Sequence, residues 1–260
     1  MKQRIYSGYH GFCLQPSLQI DGEQSITVTV QDSEKPTTVL YKRTELLSGK
    51  NTLTLPLPQT GNKIDLFITN QENNDKGLQY LGFEKTALVT RPGIIDFETF
   101  HLDEFMRFIV KFCFNLHYLR TNDPYTDDYY VSDQKHFFIK LLPYISDYKN
   151  GALIDTPTRI CTNTRLLEVS MQHCKDYTFP EMIALMLHEY CHGYANKNPN
   201  YEGEADLNSL VIYWSYGYPK IEAGQAWLKV FNETPSDENM QRMNDIVAFL
   251  SNIENIYNKK

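Results

Sequence analysis

No stretch of this chain approaches the ~18 consecutive apolar residues that a bilayer-spanning helix requires, which excludes insertion into a membrane by helices. Met1 to Ser17 also lacks the apolar core of a signal peptide. The chain is therefore expected to be cytoplasmic on synthesis, and a secreted role would need another export route. The cysteines (Cys13, Cys113, Cys161, Cys174 and Cys191) are odd in number and scattered, and no C-x-x-C pair occurs. That argues against a disulfide framework or a cysteine-based zinc site, and reduced thiols fit a cytoplasmic origin. An excess of positive charge is missing as well. The net charge of −7 and a pI near 5.5 argue against a nucleic-acid partner. Neither internal repeats nor low-complexity tracts occur.

Histidine is scarce too, with 7 in 260 residues, yet two of them fall in His188-Glu189-Tyr190-Cys191-His192, an H-E-x-x-H pattern. On a helix, residues four apart share a face, so the two imidazoles converge on one point and can hold a Zn²⁺ ion. Glu189 lies beside them, placed to take a proton from an attacking water. The local context supports a helix. Thr178-Phe179-Pro180-Glu181 reads as a capping box with proline in the first turn, and Met182, Ile183, Leu185, Met186 and Leu187 continue at helical spacing. Without a metal, the two histidines would be satisfied core or surface residues of a packing helix.

Ten residues further on, Tyr201-Glu202-Gly203-Glu204-Ala205-Asp206 supplies more carboxylates. A catalytic zinc usually takes three protein ligands and keeps one position open. Glu202 and Asp206 are spaced i, i+4, which divides them into third ligand and acceptor for the outer N–H of a ligating histidine. Glu204 competes with Glu202 if the helix starts later. The alternative is an acidic first turn complementing a helix dipole.

H-E-x-x-H followed by E-x-x-x-D resembles the gluzincin branch of the zincin metallopeptidases. The resemblance rests on His188, Glu189, His192, Glu202 and Asp206, and it departs from the branch in the short interval Gly193–Tyr201. It implies two histidines and Glu202 as zinc ligands, Asp206 as orienter, and Glu189 as general base in peptide hydrolysis. It also implies a cleft lined by an edge strand just before the metal helix, around Val169 and Met171, to which a peptide substrate adds by backbone pairing. A second stretch, Ala205 to Phe231, is similar to zincin-like domains in virion proteins of crAss-like tailed phages.

The rest of the chain reads as α+β. At 260 residues and 42% hydrophobic content it can bury a real core in one large or two small domains. Residues 1–92 read as all-β, with alternating strands at Ser25–Val30, Thr52–Leu55 and Lys63–Ile68. Asp21-Gly22, Ser48-Gly49 and Thr60-Gly61-Asn62 punctuate them, so a small β-sandwich is expected, serving as a docking module or a structural cover. Arg91-Pro92-Gly93 marks a boundary. Residues 93–260 then read as a mainly helical, zincin-like metallopeptidase domain with a small mixed sheet. A helix capped at Asp96 carries Phe97 to Leu116 at helical spacing, and its His101 and His117 read as ordinary histidines. Thr121 to Ser132 reads as a solvated acidic loop rather than a Ca²⁺ site. Phe137–Ile145 and Arg159–Met171 read as strands, and Glu204–Trp214, Ile221–Phe231 and Ser236–Tyr257 as helices.

The expected activity is zinc-dependent peptide hydrolysis with Glu189 as base. His173, Tyr194, Tyr216 and Tyr218 are the candidates for the donor that a developing oxyanion needs. The abundance of tyrosine (18) and phenylalanine (14) suits packing and also a large protein interface. The alternative expectation is a structural component of a larger assembly, such as a phage virion or its tail, whose fold is stabilised by metal.

Overall fold

The structure, a computed structural model, describes residues 1–8, 11–91, 93–119, 129–149, 152–174 and 176–257. The chain is α+β and divides into two compact units: Met1–Leu88 with Cys113–Asp123, and Val89–Phe112 with Pro124–Lys260. Among the described residues no helix is long and apolar enough to cross a membrane.

The first unit is built on β2 (Phe12–Asp32), which follows β1 (Lys2–Tyr6). After it come β3 (Val39–Thr52), β4 (Leu55–Leu57), β5 (Lys63–Thr69) and β6 (Leu78–Thr86). All six join one antiparallel sheet. β3 and β4 pair along β2 in succession, as do β6 and β5. Leu14, Leu18, Ile20, Ile26, Val28 and Val30 are buried, and they fall on one face of β2 because side chains alternate along a strand. Ile64, Leu66 and Ile68 of β5 extend the same core. Hydrogen bonding therefore unites the strands in one sheet, where a two-sheet sandwich was expected. The reason lies at Asp21-Gly22 and Ser48-Gly49, which are not turns between strands. They face one another inside the β2–β3 ladder, where the register shifts between Ile20 and Glu23. Gly22 and Gly49 take φ of 70° and 68° there, a conformation open to glycine at no steric cost.

In the second unit, helix α1 (Leu102–Leu119) starts later than its apolar spacing implies, and its last residues belong to the first unit. Phe97 and Phe100 precede it, because His101 at φ 46° breaks the helical path. Of the acidic stretch from Thr121 to Ser132, residues 121–128, with Asp123, Asp127 and Asp128, lie outside the described residues, as does the side chain of His117. The strands are β7 (Tyr129–Val131), β8 (Phe138–Leu142), the hairpin pair β9 (Ser146–Lys149) and β10 (Ala152–Asp155), β11 (Thr158–Cys161) and β12 (Leu166–Ser170). A mixed sheet runs β11-β12-β8-β7, with β12 parallel to β8 and the other pairs antiparallel. The segment Arg159–Met171, read from sequence as one strand, is thus two. A turn containing Arg165 at φ 57° divides them.

Five helices complete the unit: α2 (Met171–Cys174), α3 (Phe179–Tyr194), α4 (Glu202–Ser215), α5 (Lys220–Glu233) and α6 (Asp237–Tyr257). α3 packs against α4, α5 and β11. Its start is fixed by the expected capping box. The Thr178 hydroxyl accepts from the Glu181 N–H at 3.3 Å, and the Glu181 carboxylate accepts from the Thr178 N–H at 2.6 Å. Lys229 on α5 adds a 2.7 Å ion pair to that carboxylate, so the cap is tied to a neighbouring helix. Thr178→Ala should destabilise the second unit by about 1 kcal/mol, whereas Thr178→Ser should cost much less. Chemical denaturation of the two variants checks this.

Candidate metal centre

Thirteen of the sixteen residues of α3 are buried. A helix enclosed to that degree needs partners for every polar group it carries. His188 and His192, one turn apart, bring their Nε2 atoms to 3.0 Å. Glu202, the first residue of α4, places Oε2 3.3 Å from Nε2 of His188 and 3.7 Å from Nε2 of His192. Three corners of a tetrahedral site with bonds of about 2.0–2.1 Å stand about 3.3–3.4 Å apart, so the triangle already has the required size. His188, His192 and Glu202 could hold a divalent metal ion.

The outer nitrogens explain why the inner ones face each other. Nδ1 of His192 lies 2.6 Å from the backbone carbonyl of Pro199, which can only accept. Nδ1 of His188 lies 2.9 Å from Oδ1 of Asp206, a close contact off the line of a well-formed hydrogen bond. With protons on both Nδ1 atoms, the neutral rings turn two lone pairs toward each other across 3.0 Å. A cation between them resolves that repulsion. In the metal-free protein a proton plays the part: burial disfavours the charged imidazole of His188, but Asp206 and Glu202 outweigh it and raise its pKa to about 10. Burial likewise works against the Glu202 carboxylate, but His188, His192 and Arg242 hold its pKa well below the usual carboxylate range.

The short linker between α3 and α4 supplies the Pro199 carbonyl. The same linker settles Glu204. Its carboxylate accepts from the N–H groups of Lys197 and Asn198 at 3.0 and 3.2 Å, so it holds the turn and does not enter the ligand triangle. Asp206 is 1% exposed. It accepts from Trp227 Nε1 of α5 at 2.6 Å, and from Arg242 of α6 at 2.7 Å to Oδ2 and 2.9 Å to Oδ1. Arg242 also stands 3.1 Å from Oε2 of Glu202, so one guanidinium binds both the ligand and the orienting carboxylate.

Glu189 is held from the other side. Its Oε1 accepts from the Thr158 hydroxyl at 3.1 Å and its Oε2 from the Ile160 N–H at 2.9 Å, both on β11. Burial pushes the Glu189 pKa up, against the opposing pull of His188, His192 and the Thr158 hydroxyl. A cavity of about 450 Å³ opens onto His188, Glu189, His192, Glu202, Arg242 and β11.

Two expectations change. β12, with Val169, is paired on both sides, so the strand along the cavity is β11, at the edge of the sheet. None of the four expected oxyanion donors lines the cavity. Tyr216 donates to Asp103 at 2.5 Å. Tyr218 is buried against the Tyr213 ring. Tyr194 stacks on Phe100 with interplanar angle 7°. His173 pairs with Glu233 at 3.3 Å, and of these two only Glu233 reaches the cavity wall. Arg242 lies in a helix whose apolar spacing reads as core, and a backbone carbonyl such as that of Pro199 leaves no mark in a sequence. No family model, curated protein or solved structure matches this chain.

Two outcomes are expected. Because His188 carries a proton up to about pH 10 in the metal-free protein, Zn²⁺ binding at pH 8 should release about one proton, and affinity should rise with pH up to that value. Calorimetry in buffers of different ionisation enthalpy measures the release. Asp206→Asn should weaken Zn²⁺ binding by about 10- to 100-fold, measured by competition with a chromogenic chelator.

Proposed function

We propose that the second unit is a zincin-like domain that hydrolyses peptide bonds with Zn²⁺ held by His188, His192 and Glu202. The observation that carries this reading is the Nε2–Nε2–Oε2 triangle, with sides of 3.0, 3.3 and 3.7 Å, opening onto the same cavity as a buried and doubly anchored Glu189. When bound, Zn²⁺ supplies a Lewis acid that acidifies water and polarises a carbonyl.

The chain's own residues do the rest. An extended peptide pairs with the edge of β11 at the backbone groups that Glu189 and Thr156 leave open, and so lies along the cavity. Glu189 takes the proton of the attacking water and returns it to the leaving amine, and its raised pKa moves it toward the range where one group can do both. Thr158 and Ile160 fix its carboxylate for that work. Arg242, on the cavity wall, takes the role of oxyanion donor that His173, Tyr194, Tyr216 and Tyr218 were expected to fill. The first unit serves as an accessory docking module.

A second reading is a metal-stabilised component of a larger assembly such as a phage virion. It is favoured by the absence of those four side chains from the cavity lining and by the engagement of Arg242 with Asp206 and Glu202, since a scaffold needs no oxyanion donor.

Glu189→Gln should keep Zn²⁺ binding and lower hydrolysis of casein or a peptide library by at least about 100-fold, the usual weight of general acid–base catalysis. A variant that binds Zn²⁺ and cuts at the wild-type rate would end the assignment of Glu189 as base. A wild-type protein that is thermally stabilised by Zn²⁺ yet cuts nothing supports the scaffold reading.

A further inference from the structure

The second unit carries another group of metal-ligating side chains, on elements the first site does not use. His101 and Glu104 come from the entry and first turn of α1, and His136 from the turn between β7 and β8. Glu104 is 5% exposed. Its Oε1 accepts from the Ser132 hydroxyl at 2.5 Å and the Gln134 N–H at 3.0 Å, and its Oε2 lies 2.6 Å from Nδ1 of His136. The His101 ring stacks on the His136 ring at 4.0 Å between centroids, with its Nδ1 4.0 Å from the same Oε2. One buried carboxylate oxygen therefore faces two imidazole nitrogens and satisfies one of them by hydrogen bonding.

Three features favour a bound cation over a simple ion pair. First, the two imidazoles stack at 4.0 Å between centroids with both Nδ1 atoms toward one buried carboxylate oxygen, an arrangement that the hydrogen bond between Glu104 and His136 does not by itself require. Second, the 4.0 Å between Glu104 Oε2 and His101 Nδ1 is beyond hydrogen-bond reach and a little longer than the edge of about 3.3–3.4 Å in a tetrahedral site with bonds of about 2.0–2.1 Å, so a small closure lets both atoms reach one ion. Third, His101 reaches this position through a backbone φ of 46°, with Lys135, next to His136, at 63°. Non-glycine residues in that region cost free energy and collect where a side chain is aimed at a ligand. The turn is held from behind by α3: the Tyr190 hydroxyl donates to the Phe100 carbonyl at 2.8 Å. Tyr190 sits two residues from both His188 and His192, and so points away from the first site. A cavity of about 670 Å³, lined by two of the three groups, His101 and Glu104, together with Gln134 and Arg107 among others, gives an ion a way in.

We propose that His101, Glu104 and His136 form a second binding site for a borderline divalent ion of the zinc, nickel and cobalt class, with three protein ligands and open positions toward this cavity. It stands independently of the peptidase reading, because it shares no ligand with the first site.

The test is Zn²⁺ stoichiometry on the full chain after chelator treatment. The wild type should take two ions. H188N/H192N and H101N/H136Q should take one each, asparagine being among the residues that tolerate the backbone of position 101. In H188N/H192N, saturating Zn²⁺ should also shift the imidazole NMR signals of His101 and His136 and leave His173 unmoved. A H188N/H192N chain that takes up no ion, or whose His101 and His136 signals stay in place, overturns the second site. That readout stands even if H101N/H136Q fails to fold. Failure of the first site would appear separately, as loss of the ion that H101N/H136Q should retain.

Discussion

The second unit depends on one buried carboxylate. Asp206, on α4, meets His188 of α3, Trp227 of α5 and Arg242 of α6. A carboxylate that is 1% exposed is costly to bury unless hydrogen bonds and an opposite charge surround it. Here they do, and each comes from a different helix. The polar cluster therefore specifies which faces of four helices meet, and apolar residues of the same helices, such as Leu210, Ile212 and Ala226, are buried. Removing one partner of a buried pair typically costs about 3–5 kcal/mol, because the other is left uncompensated. Arg242 cannot release its proton to escape that situation, so its charge holds Asp206 and Glu202 ionised together.

The site inherits its order from this cluster. Asp206 turns one imidazole, and the Pro199 carbonyl turns the other. The shortness of the α3–α4 linker, which departs from the gluzincin pattern, brings that carbonyl to His192. Arg242 restrains the third ligand, Glu202, and β11 restrains Glu189. Each of these side chains is thus set by a partner from another segment of the chain, which is what lets a site act without reorganising.

Much of this was legible in the sequence for local reasons. The capping box, the apolar run beneath it and the i, i+4 spacings of His188 with His192 and Glu202 with Asp206 are contained in short windows, and the geometry of one helix converts them to shared faces. What escaped was non-local or carried by the backbone. Arg242 lies 36 residues from Asp206 in a helix whose apolar spacing reads as core. The edge position of β11 depends on how strands pair, which a pattern of alternation does not specify. Asp21-Gly22 and Ser48-Gly49 read as turns because glycine marks turns and bulges alike. His101 read as an ordinary histidine because His136, its stacking partner, comes from a distant segment.

The triangle of His188, His192 and Glu202 is either a metal site or only a buried hydrogen-bond cluster. Anomalous diffraction at the zinc edge, from crystals grown with Zn²⁺, addresses it directly. If it is a metal site, a peak stands about 2.0–2.2 Å from both Nε2 atoms and from a Glu202 oxygen, with Arg242 still on Asp206. Absence of a peak among these three residues at full Zn²⁺ saturation would contradict the metal-site reading.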